Sequence, residues 1–245
     1  MDRDFILIIS EYLGVIAVSM LIGLSTRFKQ RPLVFKYPSR EGLVASSVFL
    51  LVLIFTIVFH VNKYQPVRLM AIYPDNIILW KRLFIGALCL LPVVLALYIR
   101  KQPLLSAGWS KHSLSIAVRT GIALGFLTIF LRGKIFNIID GITTIESQSL
   151  LLWLGIVICE ESVFRGYLQP RVSAWVGDKI GWIIVALGYS LWHLPRLLET
   201  PESIWFNFTF VLVQGLILGW LMRKTGHAAT NVLYRTVSEW LWYLH

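Results

Sequence analysis

Eight apolar stretches, at residues 5–24, 43–60, 83–99, 116–131, 150–168, 181–198, 204–222 and 227–244, recur along this chain of 245 residues with short polar connections between them. A helix needs roughly 20 predominantly apolar residues to cross the hydrocarbon core of a bilayer. In lipid every backbone N–H and C=O must find its partner within the protein, which leaves helices or closed barrels as spanning structures. Stretches of this length specify helices. With 57% hydrophobic residues and a mean hydropathy of +0.71, a water-soluble core for so much apolar surface is excluded. The expected fold is all-α, a polytopic membrane bundle of about eight transmembrane helices, forming one integral-membrane domain over residues 1–245.

The net charge of +10 does not point to nucleic acid, because the basic residues are spread over the connections and cluster as membrane-flanking charge does. Anionic lipid headgroups are the expected partners. Cys89 and Cys159 lie inside apolar runs without metal-type spacing, so both are expected to be free thiols. Near the amino terminus the alternating Asp2, Arg3 and Asp4, with Glu11 interrupting the apolar run, favour a retained first helix over a cleaved leader. Residues 102–112 read as an interfacial connector with a structural role.

Positive charge orients such a bundle. Placing the loop with Arg27, Lys29, Arg31, Lys36 and Arg40 in the cytoplasm puts Arg100, Lys101, Lys111, Arg119, Arg165, Arg171, Lys179, Arg223 and Lys224 on the same side. The bias is 14 to 8, against Arg3, Lys63, Arg68, Lys81, Arg82, Arg132, Lys134 and Arg196, with Arg235 embedded.

The last four stretches carry every dense polar constellation. Ionisable groups at bilayer depth cost roughly 2.5–3.5 kcal/mol each on insertion scales, so their default reading is a functional site. Glu160 and Glu161 are adjacent in an almost wholly apolar run, and Arg165 follows. Positions four apart share a helical face, which pairs Glu161 with Arg165. Glu160 points elsewhere and has no cation on its own helix, so it is expected to be free to face a cavity and act as general base. The bland alternative is helix packing by both glutamates.

His193 follows Trp192, with Tyr189 one turn earlier to donate a hydrogen bond or wall a pocket. His227 and Asn231 are four apart, so both donors can point into one volume and stabilise an oxyanion. Against this stand interhelical bonding and an N-terminal role for His227 just after Gly226. Arg235 and Glu239 continue the same stripe and read as a separate structural ion pair. Asn207 and Gln214 read as packing or pocket lining, and Glu11, His60 and Asp140 have no visible partners.

The run Glu160-Glu161-Ser162-Val163-Phe164-Arg165-Gly166 resembles the EExxxR motif of the CAAX protease and bacteriocin-processing family. Tyr189 to His193 is similar to its FxxxH motif, with Tyr in place of Phe, and His227 to Asn231 matches HxxxN. Three motifs in order cover residues 150–231. The resemblance implies an intramembrane glutamic endopeptidase in which Glu160 and His193 activate water and His227 and Asn231 stabilise the oxyanion. By the same analogy Glu161 and Arg165 order the site or hold the end of the substrate. The implied substrate is a peptide or protein, prenylated or otherwise membrane-anchored. The expected location is a bacterial cytoplasmic membrane, and the charge orientation, which puts Glu160, Glu161 and His227 toward the cytoplasmic end of their stretches, makes the site open toward the cytoplasm. No cofactor is expected. The metal-dependent alternative would use zinc on Glu160, His193 and His227. Other rivals are a non-proteolytic immunity or peptide-handling protein on the same scaffold, a serine protease using Ser190 with His193, and an aspartyl mechanism at Asp178, which lacks a second aspartate at membrane depth.

Overall fold

The computed structural model describes residues 3–24, 33–61, 76–111, 113–198 and 204–244. Asp2, Arg27, Lys29, Arg31, Lys63, Arg68 and His112 lie outside them. Helices make up the described chain, and no strand occurs among the described residues: α1 (Arg3–Leu24), α2 (Pro38–Val61), α3 (Ile77–Ile99), α4 (Leu114–Leu131), the short α5 (Ile135–Ile139), α6 (Thr144–Glu161), α7 (Gln169–Val176), α8 (Asp178–Leu197), α9 (Ile204–Thr225) and α10 (Ala228–Trp240).

The protein is an integral membrane protein, and five of its described helical segments are long and apolar enough to cross a bilayer: α2, α3, α4, the continuous helix Thr144–Val176 and α9. The expected count of about eight is therefore not reached on length and hydropathy alone. The apolar part of α1, Ile6–Leu21, is shorter, α10 has only 13 residues, and α8 carries polar groups at both ends. The physical reason lies in packing. The polar faces of α8 and α10 meet other helices, so these two need not be apolar all round.

Helix α10 packs between α4 and α6, while α6 also packs on α3, and α8 on α9. Helix α6 starts at Thr143, whose side chain accepts from the Glu146 N–H while Glu146 reaches back to the Thr143 N–H at 2.7 Å, a capping box. It does not end at Glu161. The backbone widens into a π-helix over Ser162–Leu168 and then resumes as α7. Such widened turns inside α-helices are frequent at functional sites.

The connector after α3 forms a 3-10 turn, Leu104–Ala107, that lies against this π-helix. Gly166 is what permits the approach: a Cβ there would stand 2.3 Å from the Ala107 carbonyl oxygen. Gly108 ends the turn at φ 75°, a left-handed conformation that favours glycine, and its carbonyl accepts from the Ala228 N–H at 3.0 Å. The structural role expected for this connector is thus specific: it ties the motif helix to the start of α10.

Candidate active site

The motif residues sit where α6, α8, α9 and α10 meet. Arg235, from the middle of α10, is fully buried and reaches three carboxylates: Glu160 at 2.5 Å, Glu161 at 3.2 Å and Glu239 at 3.5 Å. Arg82 from α3 approaches Glu160 at 3.3 Å and stacks over the Trp153 ring. Arg165 approaches Glu161 at 3.6 Å, as the spacing predicts, and donates to the Gly215 carbonyl at 3.1 Å. Three glutamates thus face three arginines. A buried ion pair is tolerated only when its charges are matched and hydrogen-bonded, and removing one partner costs about 3–5 kcal/mol.

Two expectations are corrected by this hub. Glu160 is not without a counter-charge, because Arg235 and Arg82 supply one from other helices. Arg235 and Glu239 are not a separate pair at the far end of α10 but part of the centre. Adjacent glutamates diverge by about 100° on an α-helix. The broad, five-donor guanidinium of Arg235 nevertheless spans both.

His193 is buried on the wall of a cavity of about 640 Å³. Its Nδ1 lies 2.9 Å from the Tyr189 carbonyl oxygen, which can only accept, so Nδ1 carries the proton and Nε2 of the neutral ring is left as an acceptor. No hydrogen bond to Nε2 occurs among the described residues. His193 and Glu160 lie within electrostatic reach of each other. Tyr189 walls the site, with its ring under the Arg165 guanidinium at 4.2 Å and its hydroxyl donating to Gln214 at 3.4 Å. Gln214 in turn donates to Glu239 at 3.2 Å, and both Gln214 and Asn207 line the cavity.

His227 and Asn231 do not offer their donors to one volume. His227 is the N-cap of α10: its Nδ1 accepts from the Ala229 N–H at 2.9 Å, which leaves the proton on Nε2, donated to the Ser110 carbonyl at 3.1 Å. The Trp109 ring packs edge-on against it. Asn231 donates to Glu161 at 3.0 Å and to the Leu218 carbonyl at 2.8 Å. Neither residue lines the cavity. The structure favours the capping role weighed for His227. The zinc set Glu160, His193 and His227 is likewise not assembled, and among the described residues no group of three His, Cys, Asp or Glu side chains is placed to hold a metal ion.

Glu11, which the sequence left without a partner, is buried against Arg132 at 2.6 Å and the Tyr234 hydroxyl at 2.8 Å, fastening α1 to α4 and α10. His60 lines the cavity and bonds the Thr56 carbonyl. Cys89 and Cys159 are free and buried.

The cavity is lined by the carboxyl-terminal ends of α2, α8 and α10 and the amino-terminal ends of α3 and α9. Its mouth is therefore at the end opposite Arg40, Arg100 and Arg223. A basic end in the cytoplasm and a site opening into the cytoplasm cannot both hold for this bundle.

No curated protein and no solved structure matches the chain. Residues 144–241, from the capping box of α6 to the last turn after α10, match the model of the Rce1-like family, described as type II CAAX prenyl endopeptidase Rce1-like. This segment contains all three motifs and the whole of the carboxylate hub except Arg82, and by it the chain is similar to the CAAX protease family.

Proposed function

We propose that the protein is an intramembrane endopeptidase of CAAX type that cuts a membrane-anchored peptide or protein entering the His193 cavity. The observation that carries this reading is the Nε2 of His193, without a hydrogen bond among the described residues, on a polar cavity wall that also carries Arg82, a partner of the Glu160 carboxylate. A water bound there passes its proton to Nε2 as its oxygen attacks the scissile carbonyl. The imidazolium then gives the proton to the leaving amine. The negative charge of Glu160 stabilises the imidazolium while it exists, a positioned acid–base contribution worth about 10²–10⁴ in rate.

Arg82 is the donor best placed for the oxyanion, because it lines the cavity and touches Glu160. Glu161, Arg165, His227 and Asn231 hold the hub and the start of α10 in place. This division departs from the family analogy, which gives the oxyanion to His227 and Asn231. The reading needs no cofactor.

We place the basic end of the bundle in the cytoplasm, so that the cavity opens on the opposite face. A cysteine at Lys81 labelled by a membrane-impermeant maleimide from outside intact cells is the expected result; labelling only in inverted vesicles reverses the orientation. The function itself is tested with the purified full-length protein and a library of lipidated peptides, reading new termini by mass spectrometry. Cleavage lost in both Glu160→Gln and His193→Ala supports the reading. Peptide protection or transport that survives both changes identifies an immunity or carrier protein instead, and activity lost to a chelator and restored by zinc identifies a metalloprotease.

A further inference from the structure

Two grooves on the outside of the bundle differ in one respect. The first, of about 480 Å³ between α1 and α9, is lined by apolar and aromatic side chains, with no charged residue among the described ones. The second, of about 680 Å³ between α2 and α3, is walled by Val48, Leu51, Phe55, Leu88, Leu91 and Leu95 and ends at Arg40 and Arg100. Arg40, in the first turn of α2, is exposed and has no ion pair or hydrogen bond among the described residues. Arg100 shares its carboxylate, Glu41, with Arg171. Three guanidinium groups at this end are thus set against one paired carboxylate, and the apolar groove runs up to that excess of positive charge.

We propose that the groove between α2 and α3 is a specific site for one anionic phospholipid, with an acyl chain along the groove and the phosphate at Arg40 and Arg100. The occupant comes from the bilayer, because both helices are long and apolar enough to span it and only 28% and 33% of their most apolar windows are buried in the protein. From Arg40 to Phe55 helix α2 rises roughly 22 Å, more than half of a hydrocarbon core of about 30 Å, so a chain from one leaflet fits along its whole length. The headgroup then meets the guanidinium end, where a phosphate accepts parallel N–H donors. Surplus positive charge favours a headgroup with net negative charge over a zwitterionic one. A second copy of the chain suits the groove less well. A two-fold contact about an axis normal to the membrane would bring Arg40 and Arg100 of both copies to one level, four like charges with no carboxylate on the described groove wall between them. The groove shares no described lining residue with the His193 cavity, so the site stands whether or not that cavity cuts peptides.

The test uses the full-length protein in a neutral detergent and native mass spectrometry, titrating dioleoyl phosphatidylglycerol against dioleoyl phosphatidylcholine, which has the same chains and no net charge. The first phosphatidylglycerol is expected to bind at least about fivefold more tightly, the weight of one basic residue toward anionic lipid. Arg40→Gln should bring the two lipids to within about twofold of each other, while Arg40→Lys keeps most of the preference. Because Arg40 makes no pair among the described residues, its replacement should leave the fold intact. Leu51→Trp, at a half-exposed position in the groove, should block the first site for both lipids with Arg40 in place. Equal affinity of the two lipids in the parent, or a first binding step untouched by Arg40→Gln or by Leu51→Trp, overturns the proposal. So does a dimer that Leu51→Trp dissolves, which marks the groove as an interface between copies. Tighter binding of farnesylcysteine methyl ester than of phosphatidylglycerol at this site also overturns it, and marks a seat for the lipid anchor of a substrate.

Discussion

Two of the buried clusters of acid and arginine lie toward opposite ends of the bundle, and only one of these two looks like a place for chemistry. Near the end away from the cavity, Glu41 meets Arg100 at 2.5 Å and Arg171 at 3.3 Å. Arg171 is as deeply buried as Arg235, stacks over Tyr167 at 3.9 Å, and donates to the Tyr167 and Ser106 carbonyls and to Gln102. Both guanidinium groups of that cluster end on other protein groups. At the hub around Arg235 the ion pairs are just as well buried, yet one imidazole nitrogen of His193 has no hydrogen bond among the described residues, and an open polar volume adjoins it. Burial and pairing are thus common to structure and function in this membrane protein. What separates the two regions is an unspent acceptor beside a cavity.

The sharpest way to break that comparison is to remove the acceptor. His193→Ala should lower turnover by about 10²–10⁴ while leaving the melting temperature near that of the parent, because the imidazole makes one backbone bond and no ion pair. Glu160→Gln should also abolish measurable cleavage, but with a clear loss of stability, since Arg235 and Arg82 lose a partner carboxylate. Comparable activity in either variant, measured per folded molecule, would place the chemistry elsewhere.

Next in size are the two arginines. Arg235→Met leaves three carboxylates without their shared cation and should destabilise the fold by about 3–5 kcal/mol, read from denaturant or thermal unfolding in detergent. Arg171→Met should cost less, about 1.5–3 kcal/mol, because Arg100 remains on Glu41 and the chief loss is of hydrogen bonds to a charged group. The discriminating quantity is kcat of the folded fraction: unchanged for Arg171→Met, severely reduced for Arg235→Met. If both variants keep full kcat, the hub is as purely structural as its counterpart.

Much of this could be read from the residues alone, and the failures share a cause. Periodic apolar runs located the helices, and i, i+4 spacing found the Glu161–Arg165 pair, because both depend on neighbours along one helix. The cations of Glu160 come from positions 82 and 235, on separate helices, so no spacing along its own helix reveals them. By sequence Arg82 reads as membrane-flanking charge, and Arg235 pairs with Glu239, its own helical neighbour. Glu11 appeared partnerless for the same reason, since Arg132 and Tyr234 reach it only once α1 packs on α4 and α10. His227 did carry a local signal, because a polar residue just after Gly226 and just before a helix is the pattern of an N-cap. The motif match outweighed that signal, and the structure restores it. Hydropathy alone does not reach the eight-span count, and the reason is physical: the helix Thr144–Val176 is 61% buried over its most apolar window against 28% for α2, so the interior helices of this bundle face protein and can carry charge.

The smallest expected effect concerns Ser190, which shares α8 with His193 and would be the nucleophile of a serine protease. Its hydroxyl donates to the Ala186 carbonyl at 3.1 Å, one turn back along its own helix, and Ser190 is fully buried and does not line the cavity. A nucleophile must sit within hydrogen-bond reach of its base and present its oxygen to substrate. Ser190 does neither among the described residues: the one ring nitrogen of His193 in a hydrogen bond faces the Tyr189 carbonyl, and the serine oxygen points along the backbone. Ser190→Ala removes a bond that satisfies only an already helical carbonyl, so stability should change by less than about 1 kcal/mol. Turnover should stay within about twofold of the parent, since the variant leaves His193, Glu160 and Arg82 in place. A fall of a hundredfold in Ser190→Ala, with a covalent adduct formed by a fluorophosphonate in the parent and absent in the variant, would move the nucleophile from water to α8 and erase the distinction between the two buried clusters.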